Sequence, residues 1–404
     1  MAAHNSVPTT TQQRRPIGCN ASTQAASLQP MSEGIMHKVG RVFNPEGLDS
    51  LILFVTNACN LRCGFCCYAE NLNVSKDISL ENILKVSESI GSFRALLVSG
   101  GEPFVRGDLD QVLLAFASNN QISTIYIPTN GWFLEKTDQT CRSFLEQNHE
   151  VVLTIGFSLD GLEEVHDTIR GKKGSFQNAC KTIGHLSEMQ KQYPNLRVRV
   201  NSVVTPDNIH GIQATIDYFF QNFALDEHTL EIVRDLTVSE AQHQSIERQA
   251  IADEYLRLSG YSSRLYAKGR QSSRPPWPLN HLPHKLTRHL VCAYHHSMAQ
   301  IKRNRLLGRL WPVPCTAGRK IMVIDGSGSV RACEHRGEVV HLKQFDFNVQ
   351  LALAGGQMKL ECACIKRERC DCLHGCFIAN SLENSKTAVF TQILPSVARN
   401  LFHS

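Results

Sequence analysis

Thr56-Asn57-Ala58-Cys59-Asn60-Leu61-Arg62-Cys63-Gly64-Phe65-Cys66-Cys67 is the stretch that decides how this chain reads. It closes a β-branched and apolar run, residues 51–56, that has the pattern of a strand. Cys59, Cys63 and Cys66 stand at CxxxCxxC spacing, so one short loop can turn three thiolates toward a common point. Four-iron clusters ordinarily take four cysteines. Three leave one iron open to chelation by a substrate or cosubstrate. A zinc knuckle or a closed redox cluster is the plainer reading of the same loop, although zinc sites more often use two CxxC pairs or added histidines. Cys67 falls outside the spacing and is assigned no role.

The rest of the chain sets the context. It has 404 residues, 42% of them hydrophobic, which suits one large domain and a smaller one. The net charge of +5 is mild, and no basic–aromatic run argues for nucleic acid. No apolar stretch reaches the roughly 18 residues of a membrane span. Residues 1–40 are rich in Ser, Thr, Gln and Asn and read as a disordered leader, not an export signal, with Met31 and Met36 as alternative starts. The expected location is cytoplasmic. Fifteen cysteines in a reducing compartment favour metal or iron–sulfur ligation over disulfides. Cys19, Cys141 and Cys180 stand isolated, and the last two read as small core residues.

From residue 50 onward, strand patterns (51–56, 95–99, 122–129, 151–158, 196–204, 229–233) alternate with helix patterns (80–93, 109–118, 135–147, 176–192, 209–222). This order predicts an α/β fold with a parallel sheet, either a curved partial barrel or a doubly wound sheet. Both gather active groups at the carboxyl ends of strands. Residues 239–258 and 286–306 read as helices, and the proline-rich stretch 271–284 reads as an exposed connection. Asp325-Gly326-Ser327-Gly328 between 320–324 and 329–333 signals a hairpin. The expected division is a leader 1–45, a core domain 46–236, a helical linker 237–310, and a cysteine-rich domain with a C-terminal helix, 311–404.

Further motifs stand at the ends of the expected strands. Ser99-Gly100-Gly101-Glu102-Pro103 ends the second, where glycines let a ligand approach the backbone and Glu102 can accept from an ammonium group. An ordinary turn is the simpler reading. Thr129-Asn130-Gly131 ends the third and equally suits an Asn-Gly turn. Ser158-Leu159-Asp160-Gly161 ends the fourth, followed by His166-Asp167 and Arg170-Gly171. A surface ion pair is the alternative for Arg170, and His166 reads as structural.

Taken in this order, the motifs resemble the radical S-adenosylmethionine (SAM) superfamily, whose loop is CxxxCxφC with an aromatic at φ, here Phe65. The resemblance implies a partial (β/α)6 barrel and a four-iron cluster on Cys59, Cys63 and Cys66 that binds SAM. It further implies that Gly100, Gly101 and Glu102 take the SAM amino group and that Asn130 lines the site. Ser158 and Asp160 would contact the ribose, Arg170 the carboxylate, and Asn201 the cofactor. The C-terminal cysteines resemble a SPASM domain. Cys315, Gly328 and Cys333 match its opening element, while Cys362, Cys364, Cys370, Cys372 and Cys376 depart from its usual spacing. One or two auxiliary four-iron clusters are implied. With Cys292 as an eighth ligand, one partition puts Cys292, Cys315, Cys333 and Cys376 on one cluster and Cys362, Cys364, Cys370 and Cys372 on the other. A single cluster with spare thiols, or zinc with His374 added, are the alternatives. The resemblance implies reductive cleavage of SAM and hydrogen abstraction from a peptide or protein side chain, with an electron donor such as ferredoxin or flavodoxin. A small molecule such as a sugar or nucleoside, a cofactor-synthesis cyclase, and a non-catalytic iron–sulfur or zinc scaffold are the competing readings.

Overall fold

The computed structural model describes residues 47–74, 77–234, 245–268 and 284–388, with 391 and 395 as single positions. The expected leader, residues 239–244, most of the connection 271–284, Cys19 and most of the expected C-terminal helix lie outside the described residues. The described residues belong to one compact unit.

Six strands follow one another with helices between them: β1 (Ser50–Thr56), α1 (Leu80–Ser89), β2 (Ala95–Gly100), α2 (Leu109–Asn119), β3 (Thr124–Thr129), α3 (Leu134–Gln147), β4 (Val152–Ser158), α4 (Glu163–Arg170), α5 (Ser175–Met189), β5 (Leu196–Val204), α6 (Ile212–Asn222) and β6 (Glu227–Ile232). They pair in parallel and in simple order, β6-β5-β4-β3-β2-β1. A doubly wound sheet reverses its order at a switch point. This one does not, and since crossovers keep one hand, its helices collect on one face, as in a barrel. The curved partial barrel is therefore the form adopted.

Burial follows from this arrangement. All seven residues of β1 are buried, as a central strand requires. In β5 the alternation is strict: Leu196, Val198, Val200, Ser202 and Val204 pack against helices, while Arg197, Arg199, Asn201 and Val203 face the other way. The same face of β6 carries Glu227, Thr229 and Glu231. Arg199 stands opposite Glu227, and Asn201 opposite Thr229. The inner face is thus polar, with an Arg199–Glu227 ion pair at 2.9 Å and an Asn201 side chain bonded to both Tyr126 and Thr229.

Two long helices, α7 (Ser245–Lys268) and α8 (His284–Leu306), cover the β6 edge. Tyr255, Leu258 and Ala299 pack on Leu230 and Ile232, and buried Lys302 pairs with Glu231 at 2.6 Å. Covering a sheet edge in this way removes a site for strand addition. On the opposite side the sheet continues. β7 (Ile321–Ile324) pairs in parallel with β1, and β8 (Ser329–Arg331) and β9 (Glu338–His341) follow antiparallel. The hairpin expected at 325–328 is present, with Asp325 Oδ1 accepting from Ser327 N and Ser329 N. Three more helices follow: α9 (Val349–Ala354), α10 (Gln357–Glu368) and α11 (Gly375–Glu383). None of the described helices is long and apolar enough to cross a membrane.

Candidate functional site: two cysteine centres

The first centre is the loop after β1. Its backbone is fixed from three sides. Asp77 accepts from Thr56 Oγ1 and Asn57 N, both at 2.6 Å. Asn73 takes the Cys59 amide at 3.1 Å and donates to the Cys59 carbonyl. Its φ of +60° is a conformation that asparagine tolerates better than most residues. On the third side the Gly100-Gly101-Glu102 backbone lies directly on the loop. Gly101 N donates to Thr56 O and Glu102 N to Ala58 O, each at 2.8 Å. A Cβ at Gly100 would meet Thr56 O at 2.2 Å, and one at Gly101 would meet Ala58 O at 2.1 Å. The glycines are therefore needed for contact with the loop itself.

Cys59, Cys63 and Cys66 are half-buried free thiols. Burial pushes the Cys59 thiol up to about 11, with further upward pushes from Glu102, Cys63 and Cys66. Backbone amides point at two of these sulfurs, Leu61 N at Cys59 (3.5 Å) and Tyr68 N at Cys66. An apolar pocket needs no such donors, whereas thiolates bound to iron do. Among the described residues, no three His, Cys, Asp or Glu side chains converge as a set around a single ion. An all-sulfur set of three donors fits one corner-open cubane, whereas zinc sites take four ligands.

Glu102 is almost fully buried, and its carboxylate is occupied by the protein. Oε1 accepts from Thr129 Oγ1 (2.8 Å) and Phe104 N (3.2 Å), and Oε2 from Asn130 N (2.7 Å). One acceptor position on Oε2 remains for a ligand ammonium. Burial pushes the carboxyl up to about 7, against the pull of these bonds and of Arg170. In the cluster-free chain the folded state then keeps a proton that the unfolded state releases, between about pH 4.5 and about 7. This group withdraws stability as pH rises through that window. Denaturant unfolding of the cluster-free chain is expected to lose about 2–3 kcal/mol more between about pH 5 and about pH 7.5 than the Glu102→Gln variant loses. Equal losses would show that Glu102 ionises normally.

Asn130 forms an Asx turn with Trp132 N and also reaches the cysteine loop, Nδ2 to Asn60 Oδ1 at 2.8 Å. The two readings of this motif, turn and site wall, hold together. Ser158 is half-exposed at the end of β4, in register with Asn201.

Asp160 and Arg170 pair with each other. Asp160 is fully buried; Oδ1 accepts from Val203 N at 2.8 Å and Oδ2 faces Arg170 Nη2 at 2.5 Å. The Arg170 guanidinium is also engaged, with Nη1 3.5 Å from Cys63 Sγ and the charge 5.7 Å from the Phe65 ring centre. It thus contacts the cysteine loop, while its Nε has no hydrogen-bond partner in the protein. His166 supports this arrangement by accepting from Asp160 N, and burial pulls its pKa down to about 3, so it stays neutral. Arg170→Met would leave Asp160 buried and unpaired. The expected cost is about 3–5 kcal/mol in denaturant unfolding of the cluster-free chain. Recovery of part of this in an Arg170→Met/Asp160→Asn double variant would mark the pair as the cause.

The second centre lies between α10 and α11 and the end of β8. Cys315, Cys333, Cys370 and Cys372 line one cavity of about 540 Å³, together with Arg234 and Arg336. Cys292, Cys362, Cys364 and Cys376 are not among its walls. This cavity takes two cysteines from each group of the expected partition. Cys362 and Cys364 point from α10, a helix that the spacing alone did not place there, and Cys292 lies on α8 against Ser263 O. Cys376 has Glu334, Arg234, Glu231 and Lys302 as its charged neighbours. His374 is not a free donor, since Nε2 contacts Glu334 Oε1 at 2.8 Å and Nδ1 accepts from Cys376 N. Arg234 touches both centres: its Nη1 pairs with Glu334 and lies 3.5 Å from Cys67 Sγ.

Residues 53–219, from β1 into α6, match the pattern of the Radical SAM superfamily. This segment is a radical SAM domain. Around it the chain is 33% identical over 184 residues to the Fe-coproporphyrin III synthase of Methanosarcina barkeri, covering 43% of this chain and 42% of that protein. It is 30% identical over 137 residues to the antilisterial bacteriocin subtilosin biosynthesis protein AlbA of Bacillus subtilis, covering 33% and 29%. The chain thus spans less than half the length of these relatives. The solved structure of anSMEcpe with bound AdoMet and the Kp18Cys peptide shares the fold, with a TM-score of 0.54 at 14% identity, over 87% of this chain and all of that one.

Within the radical SAM domain, sequence reasoning missed Asn73, Asp77 and Lys172, which hold the loop from outside the motifs. Lys172 reaches Asn60 O and lies 3.8 Å over the Trp132 ring.

Proposed function

We propose that this chain is a radical SAM enzyme. It cleaves SAM reductively at a four-iron cluster held by Cys59, Cys63 and Cys66, and the 5′-deoxyadenosyl radical takes hydrogen from a peptide or protein side chain. The observation that carries this reading is the three-thiol loop, with amides aimed at its sulfurs and the Gly100-Gly101-Glu102 backbone laid against it. When bound, the cluster supplies the electron and the open iron site. The protein's part is positional. Asp77 and Asn73 fix the loop, Arg170 holds Cys63, and Glu102 offers Oε2 to an ammonium group. Ser158, at the end of β4, and Asn201, in register with it on β5, stand where a ribose would rest, and Asn130 closes the wall. A reduced donor such as ferredoxin or flavodoxin would supply electrons in a cytoplasmic setting that keeps the thiols reduced.

The peptide substrate is supported by the subtilosin biosynthesis relative and by a shared fold with a peptide-bound structure. A small-molecule substrate is the second reading, favoured by the Fe-coproporphyrin III synthase relative. The test is anaerobic reconstitution with iron and sulfide, then reductant and SAM. Release of 5′-deoxyadenosine supports the proposal. No release from a protein whose clusters are intact and reducible would leave a scaffold as the better account.

A further inference from the structure

Asn60 stands between Cys59 and Cys63 in the first loop, and its neighbours fix which way its side-chain amide faces. The main-chain amide of Trp132 can only donate, so the Asn130 side-chain atom that it meets at 3.0 Å is Oδ1. Asn130 Nδ2 is then the atom that faces Asn60, at 2.8 Å, and a donor there requires Asn60 to present Oδ1. Asn60 Nδ2 is left over. It is buried and has no hydrogen-bond partner among the described residues. The backbone on either side is held as well: Asn73 bonds the amide and the carbonyl of Cys59, and Lys172 Nζ lies 3.5 Å from Asn60 O. A buried donor left unpaired is costly, and native proteins keep few of them without a reason. Arg170 Nε is a second such atom at this loop, on a guanidinium whose Nη1 lies 3.5 Å from Cys63 Sγ. Asn60 beside Cys59 and Arg170 beside Cys63 thus offer N–H groups to an acceptor that the polypeptide does not itself provide.

We infer that Asn60 binds the group held at the first centre: its Nδ2 donates to an anionic acceptor there, a cluster sulfur or the carboxylate of SAM. Asn130 is the positioning residue that turns the Asn60 amide so that its donor, and not its oxygen, faces that acceptor. The two sources share one chemistry and differ in the quantity that moves. A hydrogen bond to a cluster sulfur favours the reduced cluster and raises its potential. A hydrogen bond to a carboxylate is charge-assisted and tightens the binding of SAM. The inference rests on the proposed function, since it requires a cluster on Cys59, Cys63 and Cys66.

The test uses the full chain, reconstituted anaerobically with iron and sulfide. The EPR signal of the first cluster is the one absent from a variant with Cys59, Cys63 and Cys66 all replaced by alanine. Its midpoint potential is measured without SAM, and SAM affinity from the change that added SAM makes in the same signal. Asn60→Leu removes the donor without adding charge. A midpoint moved to more negative potential would identify cluster sulfur as the acceptor. An unmoved midpoint with SAM bound about tenfold more weakly would identify the carboxylate. Asn130→Asp still accepts from Trp132 N but shows Asn60 only an oxygen, so the Asn60 amide must spend Nδ2 on residue 130. It should reproduce the change, and in the Asn60→Leu background it should add nothing further. A purely structural contact would not give this pattern, and additive effects of the two would overturn the role of Asn130. Where Asn60→Leu fails to fold, Asn60→Asp keeps the acceptor for Asn130 and removes only the donor, with the same direction expected. Wild-type potential and wild-type SAM affinity in these variants would overturn the inference alone, because Nδ2 would then meet nothing more than a trapped water. A wild-type chain that takes up no iron at this loop would overturn the proposed function and this inference with it.

Discussion

Cys63→Ala protein, reconstituted anaerobically and given reductant and SAM, will release 5′-deoxyadenosine only at background level, while its auxiliary iron stays in place. Cys63 is the middle sulfur of three, and the loop offers no spare at its position. Arg170 stands behind it, and Gly64 N is tied to Ile169 O at 3.2 Å, so the loop cannot slide to present Cys67 instead. Two thiolates do not retain a four-iron cube that already lacks a fourth protein ligand. The measurement is iron content together with product release. About four irons should be lost, and the whole of the activity with them. Activity surviving in Cys63→Ala would mean that the loop is not the site of SAM cleavage.

Gly101→Ala should be nearly as damaging, although it removes no ligand. The added carbon would stand 2.1 Å from Ala58 O and 3.1 Å from Cys59 Cβ, with loop backbone on that side and the β2 end on the other. Relief requires breaking the Gly101–Thr56 and Glu102–Ala58 hydrogen bonds, which carry the loop's register. Overpacking of this kind costs about 1–3 kcal/mol. The larger consequence is a shift of Cys59 by a good fraction of an ångström, and misplacement on that scale lowers rates by about a hundredfold. Gly64→Ala is the control. It lies in the same loop, yet an added Cβ there meets nothing within 4 Å. The expected contrast is poor cluster retention and SAM cleavage down about a hundredfold in Gly101→Ala, with Gly64→Ala close to wild type. Equal behaviour of the two would show that the glycine pair is not what seats the loop.

What could be read from sequence and what could not have different physical origins. The span 196–204 matches β5 to the residue, because β-branched alternation there has no competing pattern. Helix α1 ends at Ser89, short of the expected 93, because Ile90 caps it and Gly91 turns to φ +80°. Strand β3 begins at Thr124 and not at 122, because Gln121 takes a left-handed turn first. Helix α4 was hidden, since Val165 is half exposed and its inner face is made of His166 and Arg170, which carry no apolar period. The cysteines were legible because clustered thiols in a reducing setting have few other uses. The contacts of Asp160 and Arg170 with Val203 and Cys63 could not be read, because those partners are 43 and 107 residues away along the chain. Only the folded topology brings those together. The grouping of the C-terminal cysteines was beyond reach for the same reason: Cys362 and Cys364 lie on a helix, while Cys370 and Cys372 follow it and line the cavity with Cys315 and Cys333.

The pairing of β1 with β7 has a consequence for where this protein can be cut. Ser50–Leu53 lies between β2 on one flank and Ile321–Ile324 on the other. Expressed alone, a fragment ending before residue 311 would bare a ladder of unpaired amides and carbonyls along the strand that carries the iron-binding loop. Such a rim recruits other chains. The two cysteine centres are therefore mechanically one object, and the segment that follows residue 311 is the seam that covers this rim.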